Sequence, residues 1–413
     1  MGKRAFVSKL LQDIRASYWF LPSSLVICAV LLSQGTLYID RHPDLLPFDL
    51  PNSLSDTQVD GARSLMAIIS QSVFGVAGVM FSMTVVAVSF ASGNFGPRLI
   101  GNFMRDRGNQ WSLGILVATF AYALMITRTI QGPTGNGTDL STILFVPHLS
   151  ISIALVLTFV SVLTVIYFVH HIPETINVSN ITADLGQRLV TAIKVLIETQ
   201  SMPVDTPRTI PDTDPDAQIA LSQAGYIQTL NLKQLCKLAD EHDLLIDASH
   251  PVGTFVTPDS VILRVWGGDV SDELTAKLQD CFAVGKTPTE NQNLLFIVDL
   301  LVEMIARALS PGLNDPFTAI NCLNWLQVAA VVAANHKGGL RLVEQGAVHT
   351  KSVEFDDLLD RGFGRANHYV VSDPLCRDHM QTLLSNLQDQ IETPEHRKSL
   401  KSFAEQWKKQ ESA

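Results

Sequence analysis

The residues best suited to chemistry in this sequence crowd into one stretch, Ala306–Ala319 (ARALSPGLNDPFTA), and the run just before it. Arg307, Ser310, Pro311, Gly312, Asn314, Asp315 and Pro316 lie within ten residues of one another. Upstream, Asp299, Glu303 and Arg307 recur at i, i+4 and i+8, which sets all three on one face of a helix. Glu303 ahead of Arg307 is the favourable order for an ion pair, worth ~0.2–0.5 kcal/mol when exposed. Two readings are open. In one, Asp299, Glu303 and Asp315, with Arg307, Ser310 and Asn314 beside them, hold a small ligand or a cation. Hard cations need several oxygens brought together, and the set specifies no particular metal. In the other, Asn314 and Asp315 only cap and turn the backbone, and the Asp299–Arg307 face is a satisfied polar stripe.

The elements that carry these residues follow from the pattern around them. NLLFIVDLLVEMIARAL (293–309) is helical, and Pro311 with Gly312 stops it. Asp315 then Pro316 reads as an N-cap followed by an N1 proline, opening a second helix over 316–334. The run RALSPGLNDPFTA, together with GYIQ (225–228), GTFV (253–256) and FSMTVVAVSFASGNFGPRLI (81–100), resembles a bacterial membrane-protein family, domain of unknown function 2254. The resemblance extends over most of the chain. It implies a membrane half joined to a soluble half and brings no established activity with it.

A second constellation lies in the apolar half. Gln71, Gly75, Gly78, Ser82, Ser89 and Gly93 recur at spacings of three, four and seven within an otherwise Val-, Phe- and Met-rich run. Small residues in such a stripe allow close helix packing in membranes. The same stripe could line a pore in a homo-oligomer, with hydroxyls facing water. No acid or base lies inside this run, which argues against a proton relay or an ion pump. Phe74 and Phe81, one heptad apart, would form a constriction or face lipid.

Composition explains where these elements sit. Of 413 residues 46% are hydrophobic and only 17% charged, against ~25% charged in typical soluble domains. The charge-free runs lie almost wholly before residue 173. They predict four spans, at about 16–39, 64–92, 108–127 and 143–169, since ~20 apolar residues cross a bilayer core. The first follows a basic segment (Lys3, Arg4, Lys9 and Arg15), has Tyr18 and Trp19 at its start, and shows no A-x-A cleavage site. The acidic loop 40–63 leads into the 34 uncharged residues of Ser64–Pro97. A glycine-rich turn (129–139) precedes the fourth span, with Pro147 expected in its first turn and His170, His171 and Pro173 at its end. Lys and Arg number four in the N-terminal segment and three in 98–107, against Arg41, Arg63 and Arg128 on the other side. This places both termini in the cytoplasm and the protein in the inner membrane.

The remainder is predicted to begin with an amphipathic helix (Ile181, Leu185, Leu189, Ile193 and Leu196 on one face) and a Pro-rich acidic linker, together 173–216. Strands are expected at 225–230, 244–248 and 261–266. Helices are expected at 231–243, capped by Asn231, and at 271–285, capped by Ser271. Leu340–Val343 and His368–Val371 read as short strands, and 375–410 as helical. The fold class is therefore an all-α four-helix transmembrane region (1–172) followed by a cytosolic α/β (α+β) domain (217–413).

From residue 172 onward 20 Lys+Arg stand against 32 Asp+Glu, so nucleic acid is not an expected partner. The five cysteines form no C-x-x-C pair and read as small buried hydrophobes. G-x-S-x-G, H-E-x-x-H and Walker A patterns are absent, RGFGR (361–365) is not a dinucleotide fingerprint, and His242 and His379 read as surface residues. These readings predict a non-enzymatic protein with no cofactor, partnered by the bilayer and by copies of itself. Its expected role is a homo-oligomeric channel or pore whose cytosolic domain senses a small ligand or cation. A non-conducting, membrane-anchored sensor or scaffold is the alternative.

Overall fold

A computed structural model describes residues 17–42, 44, 58–104, 106–131, 145–200, 208–248, 250–342 and 346–411. The basic segment 1–15, most of the acidic loop 40–63, most of the 129–139 turn and residues 201–207 of the linker lie outside the described residues. Two compact units are present, one within Phe6–Gly93 and Pro97–Asn177 and the other chiefly Val178–Ala413.

The first unit is helical. Its elements are α1 (Phe20–Arg41), α2 (Val59–Phe95), the short α3 (Ile100–Met104), α4 (Arg107–Thr129) and α5 (His148–Thr175). α1 packs on α4 and α5, and α4 packs on α5. α2 turns Met66, Ile69, Val73, Ala77 and Met80 inward, a helical face by their three- and four-residue spacing. Phe74 meets Phe120 of α4 with ring centroids 4.6 Å apart. Several polar groups inside this unit are paired, as an apolar surround favours, although Asn109 Oδ1 is buried without a partner. Tyr122 Oη lies 2.9 Å from Thr36 Oγ1 and donates to Ser150 O at 3.2 Å.

Side chains from other helices settle the helix ends. Asp40, at the end of α1, accepts hydrogen bonds from Leu149 N, Ser150 N and Ser150 Oγ at 2.9, 3.0 and 2.6 Å. It thereby caps α5, so Pro147 stands just before that helix rather than in its first turn. Pro173 does not end α5, which runs on to Thr175. Pro173 lacks the N–H that would bond the carbonyl four residues back, and the helix ends two residues after it. At the opposite end Asp106 caps α4 through Gly108 N and Asn109 N, and also meets His171 Nε2 at 2.7 Å.

The second unit mixes helix and sheet. α6 (Val178–Gln200) buries Ile181, Leu185, Leu189 and Ile193, the face its periodicity predicts. Two sheets follow. One has strand order β1 (Ala217–Ala220), β5 (Val261–Trp266), β3 (Leu245–Ala248), β7 (Val348–Thr350), with only the β3–β7 pair parallel. The other places β2 (Gly225–Leu230) between β4 (Phe255–Val256) and β6 (Phe282–Gly285), all antiparallel. α7 (Leu232–Glu241) and α8 (Asp272–Gln279) start on the Asn231 and Ser271 caps. Ile227, Leu235, Ile246, Ile262 and Leu263 form the core between sheets and helices.

The helical lobe of this unit is built on α10 (Pro316–Ala334), against which α6, α9 (Leu294–Ala308) and α13 (Pro374–Gln390) pack. A Cβ on Gly186 of α6 would enter the Trp325 ring of α10, so glycine sets that close approach. α11 (Phe355–Leu359), a π-turn (Asp360–Gly364), α12 (Arg365–Val370) and α14 (Pro394–Glu411) complete it.

Several expectations are corrected here. The 271–285 run is not one helix: it stops at Gln279, and Phe282–Gly285 pairs with β2 instead. His368–Val371 is helical through Val370 despite its β-branched residues, since the helical lobe carries it. Leu340 makes only an isolated bridge to Val353. The described part of the Pro-rich linker is tied down, with Arg208 N donating to Gly346 O and Trp266 Nε1 donating to Thr213 O.

Candidate functional site

The stripe on α2 faces away from the bundle. Gln71, Gly75, Gly78, Ser82, Ser89 and Gly93 are all exposed, opposite the buried Met66–Met80 face. Nothing lies within 4 Å of where a Cβ would stand on Gly75, Gly78 or Gly93. Within this chain, then, Gly75 and Gly78 serve no close helix contact among the described residues. Phe74 and Phe81 are also exposed, at 56% and 50%, although Phe74 touches Phe120.

The 299–315 constellation divides into two structures. The loop half is a capped turn. Asp315 Oδ1 accepts from Thr318 N at 3.1 Å and Oδ2 accepts from Thr318 Oγ1 at 2.5 Å, while Asp315 N donates to Ala308 O at 2.7 Å. Asn314 takes a left-handed φ of +46° and donates its backbone N–H to Ser310 O. Ser310 Oγ donates to Arg307 O at 2.6 Å. Glu303 and Arg307 form the expected i, i+4 pair at 3.6 Å.

The helix half is different. Asp299 points not at Asp315 but at the π-turn, where Arg361 Nε and Nη2 take its two oxygens at 2.7 and 2.6 Å and Arg365 Nη1 adds a contact at 3.3 Å. This fork matches the planar geometry of guanidinium and carboxylate. The bond to Asp299 holds the Arg361 guanidinium above its ordinary value. Among the described residues, no three His, Cys, Asp or Glu side chains gather as a metal site would need.

Two cavities flank Arg361, and Leu295 and Arg361 line both. The polar one, about 500 Å³, sets Arg361, Arg365 and His368 beside Asp357 and Asp360, against Phe403 and Trp407. The other, about 560 Å³, is walled by Val195 and Leu196 of α6, Tyr226 and Phe255 of the small sheet, and Leu294 and Ile297 of α9. The GYIQ and GTFV segments meet here: Gly225 pairs with Val256 and Tyr226 with Phe255, whose rings lie 5.1 Å apart. Gly253, at φ +96°, closes on the Asn293 side chain with no room for a Cβ.

Residue patterns alone did not point to Asp40, Asp106, His171 or Arg361 as anchors. Apart from the local cap that Asp106 makes, their partners lie 62 to 110 residues away, beyond any local spacing rule. His379 is half-buried rather than fully solvated: it lies 2.7 Å from Asn324 Oδ1, and burial lowers its basicity. Cys28 is exposed on α1, whereas Cys236, Cys281, Cys322 and Cys376 are buried.

Among the described residues, five helices are long and apolar enough to cross a membrane: α1, α2, α4, α5 and α10. That is one more than the charge-free runs before residue 173 suggested. The profile of a predicted membrane protein family, domain of unknown function 2254, matches residues 15–386. Uncharacterized proteins of Mycobacterium bovis and Mycobacterium tuberculosis are 27% identical over 339 residues, covering 79% of this chain and 62% of theirs. The chain therefore spans less than two thirds of the length of these relatives. No solved structure matches it. The chain belongs to this predicted membrane protein family.

Proposed function

We propose that this member of the predicted membrane protein family is a homo-oligomeric ion channel or pore of the inner membrane, without enzymatic activity, whose α+β unit senses a small ligand. The observation that carries the reading is the outward stripe of α2. Gln71, Gly75, Gly78, Ser82 and Ser89 present small and polar surface that the chain's own helices leave uncovered. Lipid is a poor neighbour for a glutamine, whereas a second helix or a column of water satisfies it. Copies of α2 around an axis supply either.

The topology in this reading has four spans, α1, α2, α4 and α5, with both termini and the α+β unit cytoplasmic, in keeping with the Lys and Arg counts. α10 is taken as a core helix, because half of its most apolar window is buried and three helices of its own unit pack on it. A small ligand is favoured over a cation because the Asp299 carboxylate is already held by two arginines and Asp315 by its cap. The acidic balance of the α+β unit makes nucleic acid an unsuitable partner.

The alternative is a membrane-anchored sensor that conducts nothing. The two cavities beside Arg361 favour it, since they offer a ligand site whatever the spans do. Mass photometry in nanodiscs, followed by ion flux in liposomes, separates the two. The channel reading expects a ring of three or more subunits and a flux that Ser82→Trp or Gln71→Leu alters while assembly persists. A monomer, or a ring with no flux in any variant, overturns it and leaves the sensor.

A further inference from the structure

The larger cavity of the α+β unit has a composition that names its ligand class. Its body is apolar, made by Val195, Leu196, Leu294, Ile297, Leu340 and Val353. Its volume of about 560 Å³ lies within the ~300–1,000 Å³ usual for small-molecule sites. Arg341 and Lys351 stand in its wall, besides the Arg361 already held by Asp299, with one acid, Glu290. Glu290 is engaged by Arg188 through both carboxylate oxygens, so its charge is already met. This positive wall sits in a region where Asp and Glu outnumber Lys and Arg by 32 to 20.

Two further features point the same way. The 15-residue helix α9 begins at the cavity with Asn293, whose side chain makes no capping hydrogen bond. The positive end of its dipole is therefore not offset by a cap. His250 also lines the cavity, and its Nδ1 is buried without a hydrogen-bond partner. Turning the ring toward a ligand breaks no bond of that atom.

We propose that this cavity binds a small amphipathic carboxylate, its apolar body against α6 and α9 and its anionic head toward Lys351 and Arg341. Val195 and Leu196 belong to α6, which only Ile176 and Asn177 separate from α5, so occupancy acts on a helix closely linked along the chain to an apolar helix. The proposal deepens the ligand-sensing reading by naming the ligand class. Its test measures binding without flux, so either can fail alone.

The test uses the full chain in nanodiscs and octanoate as the probe, followed by saturation-transfer NMR against empty nanodiscs. Octan-1-ol and octylammonium serve as charge controls. The expected result is saturable octanoate binding with both controls at least about tenfold weaker, the scale of one charge-assisted hydrogen bond. Lys351→Glu, at an exposed position, is expected to weaken octanoate about tenfold. Val195→Trp, where the native side chain is 53% exposed, is expected to abolish binding, with the thermal melt unchanged. Octan-1-ol binding as well as octanoate overturns the proposal. So does a signal that survives both substitutions, which reports partition into lipid, and so does the absence of saturable binding above empty nanodiscs.

Discussion

Arg361 grips Asp299 through two parallel hydrogen bonds across 62 residues of sequence, and this pair joins α9 to the π-turn between the two cavities of the α+β unit. Asp299 is 16% exposed and Arg361 34%. Removing Asp299 leaves Arg361 without its counterpart, a loss of about 1–3 kcal/mol, whereas removing Arg361 leaves Asp299 with Arg365 alone. Solvent at the Arg361 end draws the value toward the lower figure. Asp299→Asn should lower the unfolding temperature of the purified protein, and Arg361→Lys should lower it too, because an ammonium cannot reproduce the fork. The double substitution Asp299→Leu with Arg361→Met should cost less than the two single losses added together, which a double-mutant cycle measures.

Asp315 is a cap in this structure, and its substitution should behave as one. Asp315→Ala is expected to cost about 1 kcal/mol of stability, and Asp315→Asn distinctly less, since an amide oxygen still accepts the Thr318 N–H. Urea titration of both variants checks the order. Equal losses from the two would mean that the charge, not the cap, matters.

The open space around Gly78 separates intramolecular from intermolecular packing. A Cβ on Gly78 meets nothing within 4 Å in the chain, so the Gly78→Leu monomer should fold with an unchanged helical signal. If α2 contacts other copies, the same substitution should shift the oligomer distribution in mass photometry toward smaller species. An unchanged distribution would place the stripe against lipid.

His336 ties α10 to the end of α6, 2.9 Å from Gln200 Oε1. Burial, with His396 and Arg341 nearby, holds it below the ordinary histidine value, and burial does the same to His379. A histidine whose folded value is depressed binds its proton more readily when unfolded. Its contribution is complete above the unfolded value of about 6.5 and is lost as pH falls through the lower folded value. Thermal stability should therefore fall as pH drops below about 6.5, and His336→Gln should flatten that part of the profile.

Thiol reactivity should follow burial. The Cys281 thiol is pushed up to about 12 by burial with Asp280 and Cys236 nearby, and that of Cys376 to about 12 by burial with Asp373 nearby. Thiolate is the reactive form, so Cys236, Cys281, Cys322 and Cys376 should resist maleimide at neutral pH until the protein unfolds. Mass spectrometry of the native, labelled protein should find label at Cys28 or at no cysteine.

Local chemistry made much of this chain readable. The caps at Asn231, Ser271 and Asp315, the buried face of α6, and the strands at 225–230 and 261–266 each rest on signals a few residues wide, and they stand where expected. Phe282–Gly285 is not legible as a strand from its own residues, because the deciding contact is β2, more than fifty residues away. α10 illustrates the same limit in reverse: its uncharged run suits a bilayer by composition, and only its neighbours reveal how much of it is buried in protein. The periodicity of the α2 stripe was visible in the sequence, but its direction was not, because spacing defines a face without saying what that face meets. The Asp299 partner lay equally out of reach. A carboxylate on a helix face looks alike whether it serves a cation, water or an arginine, and here the fold's bringing Arg361 alongside made the choice.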